Sequence, residues 1–298
     1  MHIRVSIPAQ TLELHGDDGL LLKRYAVSTA RNGAGEQFGS YMTPRGRHIV
    51  RAKIGAGAPE NAVFVRRRPT GEVWSPELLA ANPTRDWILT RILWLSGREP
   101  GFNRLGEVDT MRRYIYLHGS PDIVAMGAPR SIGCVRMRNR DIVELFDLVP
   151  PYTPVDIVEF SVESGDWTLL GTDARPIREA VFVAEQRVPL DMERDEADAV
   201  SRHVLARDAA GLPIGTGRLL ADGRIGRMAV LPAWRRKGVG RALLETLMEL
   251  AQQRGMATLR LHAQTPVVAF YQRFGFQAEG NVFMEASIPH LLMSRRLA

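Results

Sequence analysis

The stretch KGVGRALLETLMELAQQRG, residues 237–255, limits what this chain can fold into more than any other. Apolar residues at 239, 243, 247, 250 and 251 form one stripe at the helical period, and Gly255 stands where a C-cap belongs. A helix with one apolar stripe must bury it against another layer, and its flanks supply that layer. AVSRHVLARD, GTGRLLAD and RIGRMAVLP before it, and ATLRLHA after it, read as strands with tight turns, while IREAVFVAEQRV reads as an earlier helix. The first half has another texture. HIRVSI and TLELHG alternate with period two; LLLKRYAVSTA, YIYLHG and the end of YMTPRGRHIVRAKIG also read as strands. NRDIVELFDLV has helical spacing at Ile142, Leu145, Phe146 and Val149, and PPYTPVDIVEF gives a proline turn and a closing strand. The expected architecture is multidomain: a mostly β domain over residues 1–160, then an α+β domain over 161–298, with SVESGDWTLLGTDARPI as the boundary segment.

A length of 298 residues suits two medium domains. The net charge of +6 is carried almost wholly by arginine, since Lys23, Lys53 and Lys237 are the only lysines. The arginines are scattered rather than gathered on one face with stacking aromatics, which argues against a nucleic-acid partner. The run Arg66–Arg67–Arg68, ending at Pro69, reads as a solvated loop. One cysteine excludes an internal disulfide framework and a cysteine-based zinc cage, and no spacing suits another metal site, a phosphate loop of the nucleotide type or a Ser-His-Asp set. No segment approaches the roughly 18 apolar residues of a membrane span, and MHIRVSIPAQTLELHGDD lacks the apolar region of a secretory signal. The default location is the cytoplasm, with the periplasm left open.

The lone thiol, Cys134, sits in SIGCVRM, sixteen positions after His118, which ends a strand. A buried lone cysteine is commonly an inert small hydrophobe. A loop of sixteen residues also brings an imidazole back to a thiol, and nucleophilic catalysis requires such a base. Gly133 lets the backbone aim N–H groups at an oxyanion, while Arg136 and Arg138 add positive potential that favours thiolate. HGSPDIVAMGAPRSIGCVRM, with the upstream turn at Ser40, Thr43, Pro44 and Gly46, resembles the catalytic signature of the L,D-transpeptidases (YkuD-like) over residues 1–160. The resemblance implies Cys134 as nucleophile, His118 as its base and Gly119 as a backbone orienter of the imidazole. It further implies that Ser131 and Gly133 shape the oxyanion site, that Arg136 holds the peptide, and that the substrate is a peptidoglycan stem peptide losing its terminal D-alanine to an amine or water. The family's second histidine, directly before Gly-Cys, is Ile132 here.

VLPAWRRKGVGRALL offers a second chemistry: a strand end, a basic glycine loop and a helix start, which is an anion site by its backbone N–H groups. RRKGVG, at Arg235, Gly238 and Gly240, resembles the Arg/Gln-x-x-Gly-x-Gly/Ala signature of GNAT N-acetyltransferases. FYQRFGF and AVFVAEQRVPLDMERDEAD resemble further segments of that family in its order, over about residues 165–298. The resemblance implies acetyl-CoA as cosubstrate. Met228, Ala229 and Val230 would contact thioester and pantetheine through their backbone, and Arg235, Arg236, Lys237, Gly238, Val239, Gly240 and Arg241 would cradle the pyrophosphate. Tyr271 would protonate the departing thiolate, and Gln264 stands where the family often has asparagine. A base must take the acceptor's proton; Glu185 is the candidate, with Glu193 and Asp195 behind it, and His262 and His290 read as structural. The two halves together read as a bifunctional acyltransferase. Two other readings stay open: a non-catalytic peptide-binding first domain, and a second domain that senses acetyl-CoA and gates the cysteine.

Overall fold

The computed structural model describes residues 1–297; the last residue of the expected second domain, 298, lies outside the described residues. The chain divides into two compact units, one of residues 1–15 and 22–159, the other of residues 16–21 with the rest from 160 onward.

In the first unit, β1 (His2–Ser6), β2 (Thr11–His15), β3 (Leu21–Ala26), β4 (Gly46–Ile54), β5 (Ala62–Val65), β6 (Arg68–Val73), β7 (Ile88–Gly97), β8 (Tyr116–Ser120), β9 (Val135–Arg138) and β10 (Pro154–Val158) form one sheet. Its order is β3-β2-β1-β10-β4-β7-β5-β6, with β8 on β7 and β9 on β8. Helix α1 (Pro76–Ala81) is capped by Ser75, whose Oγ accepts the Leu78 N–H. Helix α2 (Asn139–Leu148) buries Ile142, Leu145 and Phe146 with Leu93, Leu117, Val135 and Met137 in the main core. The long central strand β7 has no clean period-two pattern because it is apolar on both faces and bulges between Leu89 and Ile92. In the arginine run, Arg66 and Arg68 are exposed as expected, Arg66 and Arg67 form the left-handed turn of the β5–β6 hairpin, and Arg67 alone is a correction. Rather than lying in solvent, the Arg67 guanidinium sits 4.3 Å from the Trp94 ring and 4.7 Å from Tyr114, and donates to the Tyr116 hydroxyl at 3.1 Å.

In the second unit, β11 (Phe160–Gly165), β12 (Arg202–Asp208), β13 (Pro213–Leu219), β14 (Arg224–Val230), β15 (Thr258–Gln264), β16 (Gln277–Glu285) and β17 (Ile288–Arg296) form a sheet of order β11-β12-β13-β14-β15-β17-β16. Helix α3 (Trp167–Arg178) runs into a π-helical turn (Glu179–Glu185); α4 (Leu190–Glu193), α5 (Val239–Gln253) and α6 (Val268–Gln272) follow. The segment expected as a boundary is therefore β11 plus most of α3. Gly171 and Pro176 disguised that helix; a π-helical turn close behind Pro176 relaxes the regular hydrogen-bond pattern there. The buried stripe of α5 is wider than expected, adding Ala242, Leu244 and Met248, while Leu250 is only half-buried.

Candidate active sites

Strands β8 and β9 are parallel, with Leu117 opposite Val135, His118 opposite Arg136 and Gly119 opposite Met137. Side chains alternate along strands. Leu117, Val135 and Met137 therefore enter the core, while Tyr116, His118, Cys134 and Arg136 share the other face. Gly119 stands where a Cβ would come within 2.5 Å of Asn139 Oδ1 and 2.8 Å of the Leu89 carbonyl. Its own carbonyl oxygen accepts from His118 Nδ1 at 2.8 Å. That bond fixes the tautomer and leaves Nε2 as an acceptor, buried and without a partner. Burial pushes the imidazole down to about 4, so it is neutral at physiological pH.

Cys134 is half-buried. Its thiol donates to the Tyr114 carbonyl at 3.4 Å and accepts the Tyr116 N–H at 3.4 Å. Burial pushes it up to about 12, and the Asp86 carboxylate adds to the rise; the Tyr116 N–H, Arg136 and Arg113 oppose them. Arg136 favours the thiolate but is outweighed by burial and Asp86, and Arg138 is not among the groups acting on the sulfur. Arg136 is paired with Asp86 at 2.6 Å, and Arg138 is exposed. The thiol and the imidazole share a face but are not hydrogen-bonded to each other, because the backbone of residues 114–116 captures the sulfur. The turn before the cysteine is tightly held. Ser131 Oγ donates to the Cys134 carbonyl at 2.5 Å and accepts the Gly133 N–H at 3.2 Å. Thr43 Oγ1 donates to the Gly133 carbonyl at 3.0 Å. The Gly133 N–H is thus spent on Ser131 rather than aimed at an oxyanion, a second correction. Gly133 itself adopts a left-handed φ of 129° with Ile115 only 3.2 Å from where a Cβ would stand. Ile132 is 41% exposed, so the position of the missing histidine faces solvent. Asp86, Arg113 and the support given by Thr43 had no signal in the sequence around the cysteine.

His48, hydrogen-bonded to the Gly46 carbonyl and Thr110, is likewise pushed down to about 4 by burial. Both histidines are neutral when folded and take up protons near 6.5 when unfolded, so stability contributed by burying them neutral is full above 6.5 and is lost as pH falls toward 4. The expected loss for the first unit by pH 4 is on the order of 3 kcal/mol per histidine. Calorimetric melting at pH 7, 6, 5 and 4.5 checks this; His48→Gln should flatten the dependence.

In the second unit, β14 pairs with β15 only at Arg224–Arg260 and Ile225–Leu261, although it continues beside β13 to Val230. Beyond Ile225 the two strands part. A bulge opposite residues 216–218, with Arg227 at φ 51°, accompanies the parting. The edge of Met228, Ala229 and Val230 that would face β15 therefore has no strand partner. Helix α5 begins at the mouth of this gap. Its N-cap, Gly238, is left-handed at φ 88°, and a Cβ on Gly240 would meet only Val230, at 3.8 Å. A cleft of about 1120 Å³ runs along the gap, lined by Met228, Gly238, Gly240, Gln264 and Tyr271 among others.

The basic residues around the helix start are placed differently from one another. Arg236 and Arg241 line the cleft; Arg241 also bonds Glu245 at 2.9 Å. Lys237 is stacked over Trp234, its nitrogen 4.9 Å from the ring. Val239 is buried in the core, where its side chain closes on Gly215, so only its backbone is available to a phosphate. Arg235 donates to the Val230 carbonyl and, through both terminal nitrogens, to Glu185 at 2.8 and 2.5 Å. That pairing holds the Glu185 carboxyl below its ordinary range and makes it a weaker base while Arg235 stays on it. Glu193 is buried against Arg178, and Asp195 is bonded to Arg218 and Arg227. Gln264 donates to Gln186 at 2.9 Å. Tyr271 is buried, its hydroxyl 3.7 Å from Met228 Sδ, and burial raises it to about 12. Both His262 and His290 line the cleft; His290 turns Nδ1 to the Ile288 carbonyl, and His262 pairs with Glu285.

A sheet face carrying cysteine and histidine, followed by a parted sheet with a glycine helix start, defines a chain built for acyl transfer. Residues 1–157 match the L,D-transpeptidase catalytic domain, YkuD, and residues 164–297 match the acetyltransferase (GNAT) domain. The chain belongs to both families, each over its own half, and is an acyltransferase. The uncharacterised N-acetyltransferase YjcF of Bacillus subtilis is 38% identical over 127 residues, covering 41% of this chain and 90% of the relative. An acyl-CoA N-acyltransferase from Pseudomonas aeruginosa is 30% identical, over 46% of this chain and 99% of that one, with a TM-score of 0.42. Escherichia coli ElaA is 29% identical, over 45% and 99%, with a TM-score of 0.42. Among the described residues no helix is long and apolar enough to cross a membrane.

Proposed function

We propose that the chain is bifunctional: residues 1–160 carry a cysteine acyltransferase acting on peptidoglycan stem peptides, and the remainder transfers acetyl from acetyl-CoA to an amine. The observation that carries the first activity is the unpartnered Nε2 of His118, held in its acceptor tautomer by Gly119. In the reaction, rotation of Cys134 away from the Tyr114 carbonyl lets His118 Nε2 take the thiol proton. The sulfur attacks the carbonyl preceding the terminal D-alanine, and the imidazolium returns the proton to the departing amine. A water or amine then releases the acyl group. Arg136, once freed from Asp86, holds the terminal carboxylate. Ser131 and Gly133 fix the turn that carries the sulfur. The rival reading, a peptide-binding module without chemistry, draws on the absent thiol–imidazole bond and on Ile132.

The parting of β14 and β15 carries the second activity. The residues fit acetyl-CoA: an edge at Met228–Ala229 without a strand partner for the pantetheine amides, continued by the Val230 carbonyl on which Arg235 rests, and an open helix start at Gly238–Gly240 with Arg236 and Arg241 for the pyrophosphate. Lys237 would join them after leaving Trp234, and Arg235 through its backbone, its guanidinium staying on Glu185. Tyr271, neutral until close to pH 12, keeps its proton for the leaving thiolate through the working range. Tyr271→Phe is expected to lower amine-dependent CoA release about 100-fold while acetyl-CoA affinity is kept. A thiol-trapping assay with titration calorimetry checks it, and an unchanged rate would remove Tyr271 from the reaction.

Whether one substrate meets both centres is tested directly. Tetrapeptide stems are incubated with and without acetyl-CoA and followed by mass spectrometry. Loss or exchange of D-alanine and an acetyl gain on the same peptide support a shared substrate; an acetyl gain confined to unrelated amines separates the two activities.

A further inference from the structure

We propose that His262 is the base that takes the proton from the acceptor ammonium in acetyl transfer, with Glu285 as its positioning residue. The proposal rests on the acetyltransferase reading of the second unit.

Strand β15 buries Leu259, Leu261 and Ala263 and turns Arg260, His262 and Gln264 to the opposite face. Pairing sets His262 opposite Leu292 and Gln264 opposite His290 on β17, and Phe283 opposite His290 and Glu285 opposite Ile288 on β16. By the strand period these residues share one face. There His262 Nδ1 lies 2.9 Å from Glu285 Oε2, and its ring stands edge-on to Phe283 at 4.9 Å. An Nδ1–H donated to a carboxylate leaves the lone pair on Nε2. Both residues line the cleft that Met228 and Tyr271 also line. The cleft thus holds a proton donor and a proton acceptor of different kinds.

The other charged or titratable groups that line the cleft are placed differently from the exposed His262. On the acceptor side of the cleft, Glu185, Glu193 and Asp195 are each held by a guanidinium. Arg224 and Arg227 of β14 are cations, and His290 on β17 is buried with Nδ1 on the Ile288 carbonyl. In the step, an ammonium gives one proton to His262 Nε2. The freed nitrogen forms the N–C bond to the acetyl carbon, the C–S bond breaks, and its electron pair leaves on sulfur. Tyr271 protonates the sulfur, and the phenolate takes the second proton from nitrogen. The imidazolium returns its proton to water. No oxidant or metal is needed for balance.

The full chain is assayed for CoA release with acetyl-CoA and three probes: putrescine, glucosamine and a lysine-containing tetrapeptide. Acetyl-CoA binding is measured separately by calorimetry. With the best probe, His262→Gln is expected to lower kcat/KM 100- to 1000-fold, to keep acetyl-CoA affinity and melting temperature, and to lose the acidic limb of the pH–rate profile. Using one amine for both proteins makes the acceptor's own ionisation common to the two curves. Glu285→Gln should shift that limb with a smaller loss in kcat, and Glu285→Asp should restore part of it. A His262→Gln profile equal to wild type overturns the proposal and leaves the acetyltransferase reading standing. Absence of CoA release with every probe, or of acetyl-CoA binding, overturns both. Should His262→Gln fail to fold, an unshifted Glu285→Gln profile overturns the proposal.

Discussion

With Cys134 replaced by alanine, release of D-alanine from a tetrapeptide stem is expected to fall at least about 1000-fold, to the level left by binding alone. The protein also loses its ability to be acylated by a carbapenem, seen as a missing mass adduct. The size follows from the chemistry, since no other thiol exists in the chain to form the acyl intermediate. The fold should tolerate the change, because the side chain is half-buried and packs against the small apolar cluster of Ile92 and Tyr116; a cost of about 1 kcal/mol is expected. His118→Gln removes the proposed base and should slow acylation about 100-fold or more. Because burial places the thiol near 12, its alkylation by iodoacetamide at pH 8 should be slower than that of a free cysteine. A wild-type protein that takes no carbapenem mass would instead establish the first unit as a binding module. Acetyl transfer by the second unit, measured in the same sample, serves as the control for folding.

Much of this architecture is legible in the sequence where periodicity is strong. α5 and α2 announce themselves because a single apolar stripe must be buried. β7 does not, because a strand buried on both faces loses its alternation, and its bulge at Leu89–Ile92 breaks what remains. α3 is hidden by a glycine and a proline, with a π-helical turn directly behind them. The site residues divide along the same line. Cys134, His118 and Tyr271 stand in local motifs, whereas the groups that set their states come from far along the chain. Asp86 lies fifty residues before its partner Arg136, and no periodicity links them. Glu185 reads as a free carboxylate until Arg235, fifty residues on, closes on it. The His262–Glu285 pair exists only through the register of β15, β17 and β16, which is a property of the sheet rather than of either segment.

Arg178→Met should be the most destabilising single change in the second unit. The Arg178 side chain is 1% exposed, bonded through Nε to Glu193 Oε1, through one terminal nitrogen to Asp198 at 2.8 Å, and through the other to the Glu193 carbonyl at 2.9 Å. Its guanidinium also lies 5.1 Å from the Trp167 ring. Methionine keeps much of the volume but leaves Glu193 buried without a cation, and Glu193 Oε2 already lacks a hydrogen-bond partner. Asp198 retains Arg218 at 2.7 Å, so the penalty centres on Glu193. Removing one member of a buried pair costs about 3–5 kcal/mol. For a unit of this size that corresponds to a fall in melting temperature on the order of 10 °C. The chain from Glu193 to Asp198 supplies one wall of the cleft through Glu193, Asp195 and Ala197, so KM for the amine should rise along with the loss of stability. The double change Arg178→Met with Glu193→Leu removes both charges together and should recover most of the stability, since two apolar side chains replace the pair. Urea denaturation of the two proteins side by side decides the point. If the double variant is no more stable than the single, the network stabilises through its geometry around Asp198 rather than through the charge balance at Glu193.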